Sequence, residues 1–203
     1  MNQSINIDVA SNCIAAELYH AATLAKSLSL TAKNAQAITL RAGDNSLGFK
    51  AITVFINEFA ETIIHQASKI NDQAVSISRL SISHAHTMST SKQFNRAWDF
   101  AGKESHREDL KEILLSLHER ANQAQEKMRL MLQHLEFDLE ESQMQMRAAG
   151  IIATTSKTEA SRAGEYQESL FTIANNIETT SSKIRTHLKA ASKFLSELKD
   201  TNS

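Results

Sequence analysis

Two short segments carry the charged groups whose spacing is most suggestive of chemistry. Arg41-Ala42-Gly43-Asp44 and Arg162-Ala163-Gly164-Glu165 each set a guanidinium three residues before a carboxylate, and the second lies 121 positions after the first. The chemistry open to such groups is recognition, because a planar guanidinium beside a carboxylate offers oriented, charge-assisted hydrogen bonds to a partner. The plainer alternative is that they cap and brace a turn. The histidines raise metal binding: His86 precedes Gly102 by 16 residues and His118 follows it by 16, so the two can come level across a hairpin, with His84 nearby. Residues two apart on a helix point to different faces, however, and no carboxylate–histidine spacing of the di-iron bundle kind occurs. Neither a metal nor a cofactor is expected. No nucleophile–base set, phosphate loop or paired-carboxylate site stands out among the many Ser and Thr residues, so the chain is not expected to be an enzyme.

The elements that must position these segments follow from composition. The 203 residues include no proline and five glycines, against roughly 7% Gly and 5% Pro in ordinary proteins, so few turns are expected. Good helix formers dominate and no β-rich run is bounded by turn signals, which makes the chain all-α. Net charge is −1 without a basic stripe, which argues against nucleic acid or an anionic membrane as partner. Cys13 is the single cysteine and cannot form an internal disulfide; a reducing, cytoplasmic setting is expected. No apolar stretch approaches the ~20 residues that span a bilayer, and the N-terminus lacks a signal-peptide pattern.

A glycine after a run of helix formers supplies the left-handed residue that ends a helix, and Asp44 or Asn45 can cap the helix that follows. The spacing predicts a first helix over about Ile5–Ala42, with Ile14, Leu18, Ala21, Ala25, Leu28, Ala32 and Ala35 at heptad-like intervals. The second, to about Ala101, has Phe49, Ile56, Ile63, Ile70 and Ile77 seven apart, with Gln66 and Gln73 interrupting the complementary positions. Such a period held over four heptads is a coiled-coil seam, in which polar residues can fix register. A third helix over about 105–162 is expected to start at a Ser105–Glu108 capping box. Its seam runs through Leu110, Leu114, Leu117, Ala121, Met128 and Leu135 and loosens near Asp138 and Ser142. The fourth, from about Gln167, carries Leu170, Ile177, Ile184, Ala191 and Leu198; subtracting 121 maps the first three onto Phe49, Ile56 and Ile63. The expected architecture is one elongated antiparallel four-helix coiled-coil bundle, up-down-up-down. It is an internal duplication with repeats over about 5–101 and 104–199. Both Arg-Ala-Gly reversals then share one end, and the Gly102 end protrudes as a two-helix hairpin bearing Phe94, Trp98 and Phe100. These aromatics suit a packed end-cap or a binding site.

The first reversal and its flanks resemble the signalling hairpin of bacterial chemoreceptors (methyl-accepting chemotaxis proteins). Asn34, Ala35, Arg41, Ala42, Gly43, acidic Asp44, Gly48, Phe49, Ile52, Ile56, Phe59 and Ala60 match or nearly match that family's tip over about 30 residues. The second reversal is a weaker copy. Family members are homodimers of hairpins, and this chain looks like such a dimer fused into one polypeptide. The resemblance implies chemotaxis signal transduction by protein contact. Its partners would be a histidine kinase, its coupling protein or chemoreceptors, and self-association through the tip would fit as well. It places the contact on Asn34, Ile38, Arg41, Asp44, Phe49 and Phe55 of the first half and Glu159, Arg162 and Glu165 of the second. Phe49 and Phe55 also suit the core, though Phe55 lies just off the seam. The family's glutamate three residues before the arginine is Ile38 here but is kept as Glu159, and its later glutamate and arginine are Phe55 and Asn57, or Asn176 and Glu178. Paired Glu/Gln methylation sites, sensor and membrane modules are not recognisable. The resulting expectation is a non-catalytic adaptor or scaffold that mimics a receptor dimer. The alternative is a helical scaffold of the same fold whose partner is unrelated to chemotaxis.

Overall fold

The computed structural model describes residues 2–100 and 107–202. Four helices account for nearly all of them: α1 Asn2–Ala42, α2 Leu47–Phe100, α3 Arg107–Ala160 and α4 Gln167–Asn202. The 54 residues of α2 and of α3 correspond to about 80 Å each at 1.5 Å per residue. Cross-helix bonds join the neighbours in a ring. Ser29 donates to Asn57 at 2.7 Å (α1–α2), Lys69 pairs with Asp138 at 2.8 Å (α2–α3), Lys157 with Glu178 at 2.7 Å (α3–α4), and His187 meets Glu17 at 2.6 Å (α4–α1). The architecture is therefore the expected four-helix bundle. The Gly102 turn and the Ser105 cap lie outside the described residues.

The seam is buried in the expected register. Phe49, Ile56, Ile63, Ile70 and Ile77 are all within 1% of full burial, as are Leu170, Ile177, Ile184 and Ala191 in α4. The same 121-residue offset also relates α1 to α3. Ile14, Leu18, Ala25, Leu28 and Ala32 have buried counterparts in Leu135, Leu139, Met146, Ala149 and Ala153. Where α3 was expected to loosen, near Asp138 and Ser142, it stays closed: Ser142 is 1% exposed and the seam continues to Ala160. The looser stretch is the opposite end. Between positions 82 and 120, Ser91 is the single fully buried residue among those described, and Phe94, Trp98, Leu110, Leu114 and Leu117 are half-buried. Two helices alone cannot enclose a core, which is the physical reason for that thinning.

Asp138 does not open the seam because it has partners. Lys69 Nζ reaches its Oδ1 at 2.8 Å and Gln73 Nε2 donates to its Oδ2 at 3.0 Å. One turn along, the Ser142 hydroxyl lies 2.9 Å from Gln66 Oε1 and 2.8 Å from the Asp138 carbonyl. The interruptions of α2 and the polar positions of α3 are thus one polar layer across the α2–α3 interface, in which Gln73 Oε1 stays buried without a hydrogen-bond partner.

Gly43 and Gly164 adopt φ of 62° and 55°, the left-handed region that costs a side chain about 1–2 kcal/mol. Gly43→Ala and Gly164→Ala are each expected to lower stability by about that amount in denaturant unfolding. Gly150→Ala should act oppositely. Gly150 is helical and an added methyl meets nothing within 4 Å, so alanine should add up to about 1 kcal/mol.

Candidate partner-binding tip

Each reversal is a tight 3₁₀ turn, Gly43–Ser46 and Gly164–Tyr166. A small separate core fastens the two together. Ala35 of α1, Phe49 of α2, Ala160 of α3, and Ala163, Leu170 and Ala174 around the second turn are buried in one cluster, with Ile38, Tyr166 and Ile173 packed against it. Every helix contributes, so the two reversals do share one end.

The turns close by different means. In the first, the Ser46 hydroxyl donates to the carbonyls of Thr39 at 2.9 Å and Gly43 at 3.0 Å. It satisfies acceptors at the end of α1, and Ser46 is 3% exposed. The cap expected from Asp44 or Asn45 falls on side chains outside those described. In the second, the backbone tightens: Arg162 N–H bonds Glu159 O, and Ala163 N–H bonds Ala160 O, each at 3.1 Å. Ala163 supplies no side-chain cap there.

The nine expected contact residues fall into distinct settings. Phe49 is wholly buried and shapes the tip from inside, so its ring presents nothing to a partner. Ile38 is half-buried against the tip core. Phe55 is 38% exposed, off the seam. Asn34, Arg41 and Glu165 are exposed, and the Asp44 side chain lies outside those described. Glu159 and Arg162 form the one Arg–carboxylate pair among the described residues of the tip, at 3.1 Å, with Arg162 69% exposed and Glu159 24%. Arg41 has no such bond among the described residues, and the reason is local: Ile38 stands where Glu159 stands in the other half.

Glu159 also bridges the two hairpins. Its carboxylate occupies the space beside Gly48, where a Cβ would overlap it. Gly48 is therefore where the Glu159 side chain of the second hairpin lies against the first. The sequence shows this glycine without showing what lies over it. The role of Ser46 was equally hidden, since a serine before a helix suggests an N-cap, whereas here its hydroxyl turns back to α1.

The two faces of the tip differ in polarity. Leu40, Leu47, Val54 and Phe55, all within 12 residues of Gly43, are 64%, 60%, 43% and 38% exposed. Their counterparts 121 residues on are all polar: Ser161, Glu168, Asn175 and Asn176. Near the second turn Phe171 is the exposed large apolar side chain among the described residues, where the first half has Lys50. Isolated exposed apolar residues are ordinary, and these four all lie in the first half of the tip. On α3, far from the tip, the Arg129 guanidinium bonds both Glu126 oxygens and holds that carboxyl below its usual range. This exposed pair braces one turn of α3.

Among the described residues no group of three His, Cys, Asp or Glu side chains is placed to hold a metal ion, and no helix is long and apolar enough to cross a membrane. Fold and tip together define a long antiparallel four-helix bundle whose two hairpin turns form one asymmetric end. No protein-family model, curated protein or solved structure matches the chain.

Proposed function

We propose that this protein is a non-catalytic signalling adaptor or scaffold that contacts its partner through the paired tip, presenting in one chain what a chemoreceptor dimer presents in two. The observation that carries this reading is the unequal tip. One face offers exposed Leu40, Leu47, Val54 and Phe55 beside the exposed Arg41, and the other offers the Arg162–Glu159 pair and Glu165. A partner docking there meets an apolar anchor on one side and oriented charge on the other, and such central anchors supply most of the energy of a small interface. The chemoreceptor-like spacing from Asn34 to Ala60 supports a chemosensory histidine kinase or its coupling protein as that partner. A cytoplasmic location follows from the reading.

The test uses the purified kinase and coupling protein of the source organism in a pull-down with the full chain. Retention of either is expected. Arg41→Ala combined with Arg162→Ala should weaken retention at least about tenfold, since each lost charge-assisted bond counts for more than a neutral one. Retention of neither protein, or equal retention by the double variant, would contradict the proposal.

A further inference from the structure

The outer face of α3 carries a second apolar series besides the buried one. Leu130, Phe137, Met144 and Ile151 stand seven apart and are 44%, 65%, 61% and 70% exposed. The residues that α3 turns inward are others, among them Leu132, Leu135, Leu139 and Met146. Scattered apolar residues on a surface are ordinary, but an interval of seven held over four positions is the spacing with which one helix winds on another. The neighbours of α3 in the bundle, α2 and α4, leave this stripe uncovered. The corresponding positions of α1, 121 residues earlier, are Val9, Ala16, Thr23 and Leu30, so the unbroken stripe belongs to the second half. Its 21 residues extend about 32 Å at 1.5 Å per residue.

The charges on the same face say which helix would fit. Glu140 and Arg147 are both exposed, stand one heptad apart between the stripe residues, and have no ion-pair or hydrogen-bond partner among the described residues. Two copies laid parallel would set Glu140 and Glu141 against their own counterparts. Laid antiparallel about a two-fold axis beside Met144, each copy sets its Glu140 against Arg147 of the other, twice over, as an isologous contact requires. Met144 then meets itself. Phe137 comes level with Ile151 of the second copy and with its Gly150, where the missing side chain leaves open space. We infer that the outer face of α3 is a self-association surface, on which a second copy of this chain lies antiparallel with its own α3 stripe. A strip this narrow buries less than the ~1,200 Å² of a standard interface, so the dimer is weak and transient. The surface is separate from the tip and stands whether or not the tip binds a chemosensory partner.

Sedimentation equilibrium of the full chain between about 10 μM and 1 mM, the span of weak complexes, tests this. A concentration-dependent dimer is expected. Phe137→Gln with Met144→Gln should weaken it at least about tenfold with helicity and thermal midpoint little changed, since both side chains are exposed. Arg147→Glu should weaken it to a similar degree by setting acids against acids, and adding Glu140→Arg should recover part of that loss. The orientation is read by oxidation of single-cysteine chains in a Cys13→Ser background. Met144→Cys should give a disulfide-linked dimer, and Leu130→Cys should not, because the two copies of that position lie about 40 Å apart in the antiparallel pair. A chain that stays monomeric throughout would overturn the inference. So would a dimer indifferent to the glutamine pair or to Arg147→Glu, or one that crosslinks through Leu130→Cys rather than Met144→Cys.

Discussion

Phe49→Ala is expected to destabilise the protein by about 3–5 kcal/mol, at the upper end for a single core truncation. The ring is fully buried in a cluster made mostly of alanines, Ala35, Ala160, Ala163 and Ala174, with Leu170 as the other large member. Alanines have no side-chain reach with which to refill the space, so most of the cavity persists and its cost adds to the lost transfer energy. Phe55→Ala is the matching control. Phe55 is 38% exposed, and its truncation is expected to cost about 1 kcal/mol or less. Urea unfolding monitored by helicity measures both. Similar losses for the two variants would show that the tip core is not organised around Phe49.

The second large effect concerns the polar layer. Lys69→Met with Gln73→Leu removes both side chains that reach the Asp138 carboxylate, leaving a charge that is 7% exposed without compensation. Stranding a buried charge costs about 3–5 kcal/mol. Since Lys69 is itself 53% exposed and water already screens part of the pair, the lower end, about 3 kcal/mol, is expected. Adding Asp138→Leu to the same variant should recover that loss and exceed the parent, because well-packed apolar groups often outperform a buried ionic cluster. The midpoints of the three proteins in urea check the order. A double variant as stable as the parent would mean that the carboxylate is solvated in the folded state.

What the sequence reveals depends on how loudly each position speaks. The isoleucines of α2 and the Leu/Ile series of α4 announce their seams, since a large apolar residue at every seventh position is what helices wound on one another require. In α3 the seam beyond Leu139 consists of Ser142, Met146, Ala149, Ala153 and Ser156, all buried. Small residues are as frequent on surfaces as inside, so that stretch looks like a loosening. The offset of 121 residues was the available signal, because it relates Met146, Ala149 and Ala153 to the buried Ala25, Leu28 and Ala32 of α1. Asp138 misleads for a different reason. A lone acid in a seam suggests exposure, and its partners Lys69 and Gln73 lie 69 and 65 residues away. At the tip, glycine chemistry places both reversals correctly. The Glu159–Gly48 approach and the Ser46 bonds depend on how two distant turns meet, which no local pattern encodes.

The proposed contact through the unequal tip is tested most directly by position-specific crosslinking. A photo-reactive residue would replace Leu47, 60% exposed on the apolar face of the tip, and in a parallel protein Leu115, 63% exposed on the far part of α3. Each protein is irradiated with the purified kinase and coupling protein. The account predicts a crosslink to one of them from Leu47 and none from Leu115. Crosslinks from Leu115 alone, or from neither position, would contradict it.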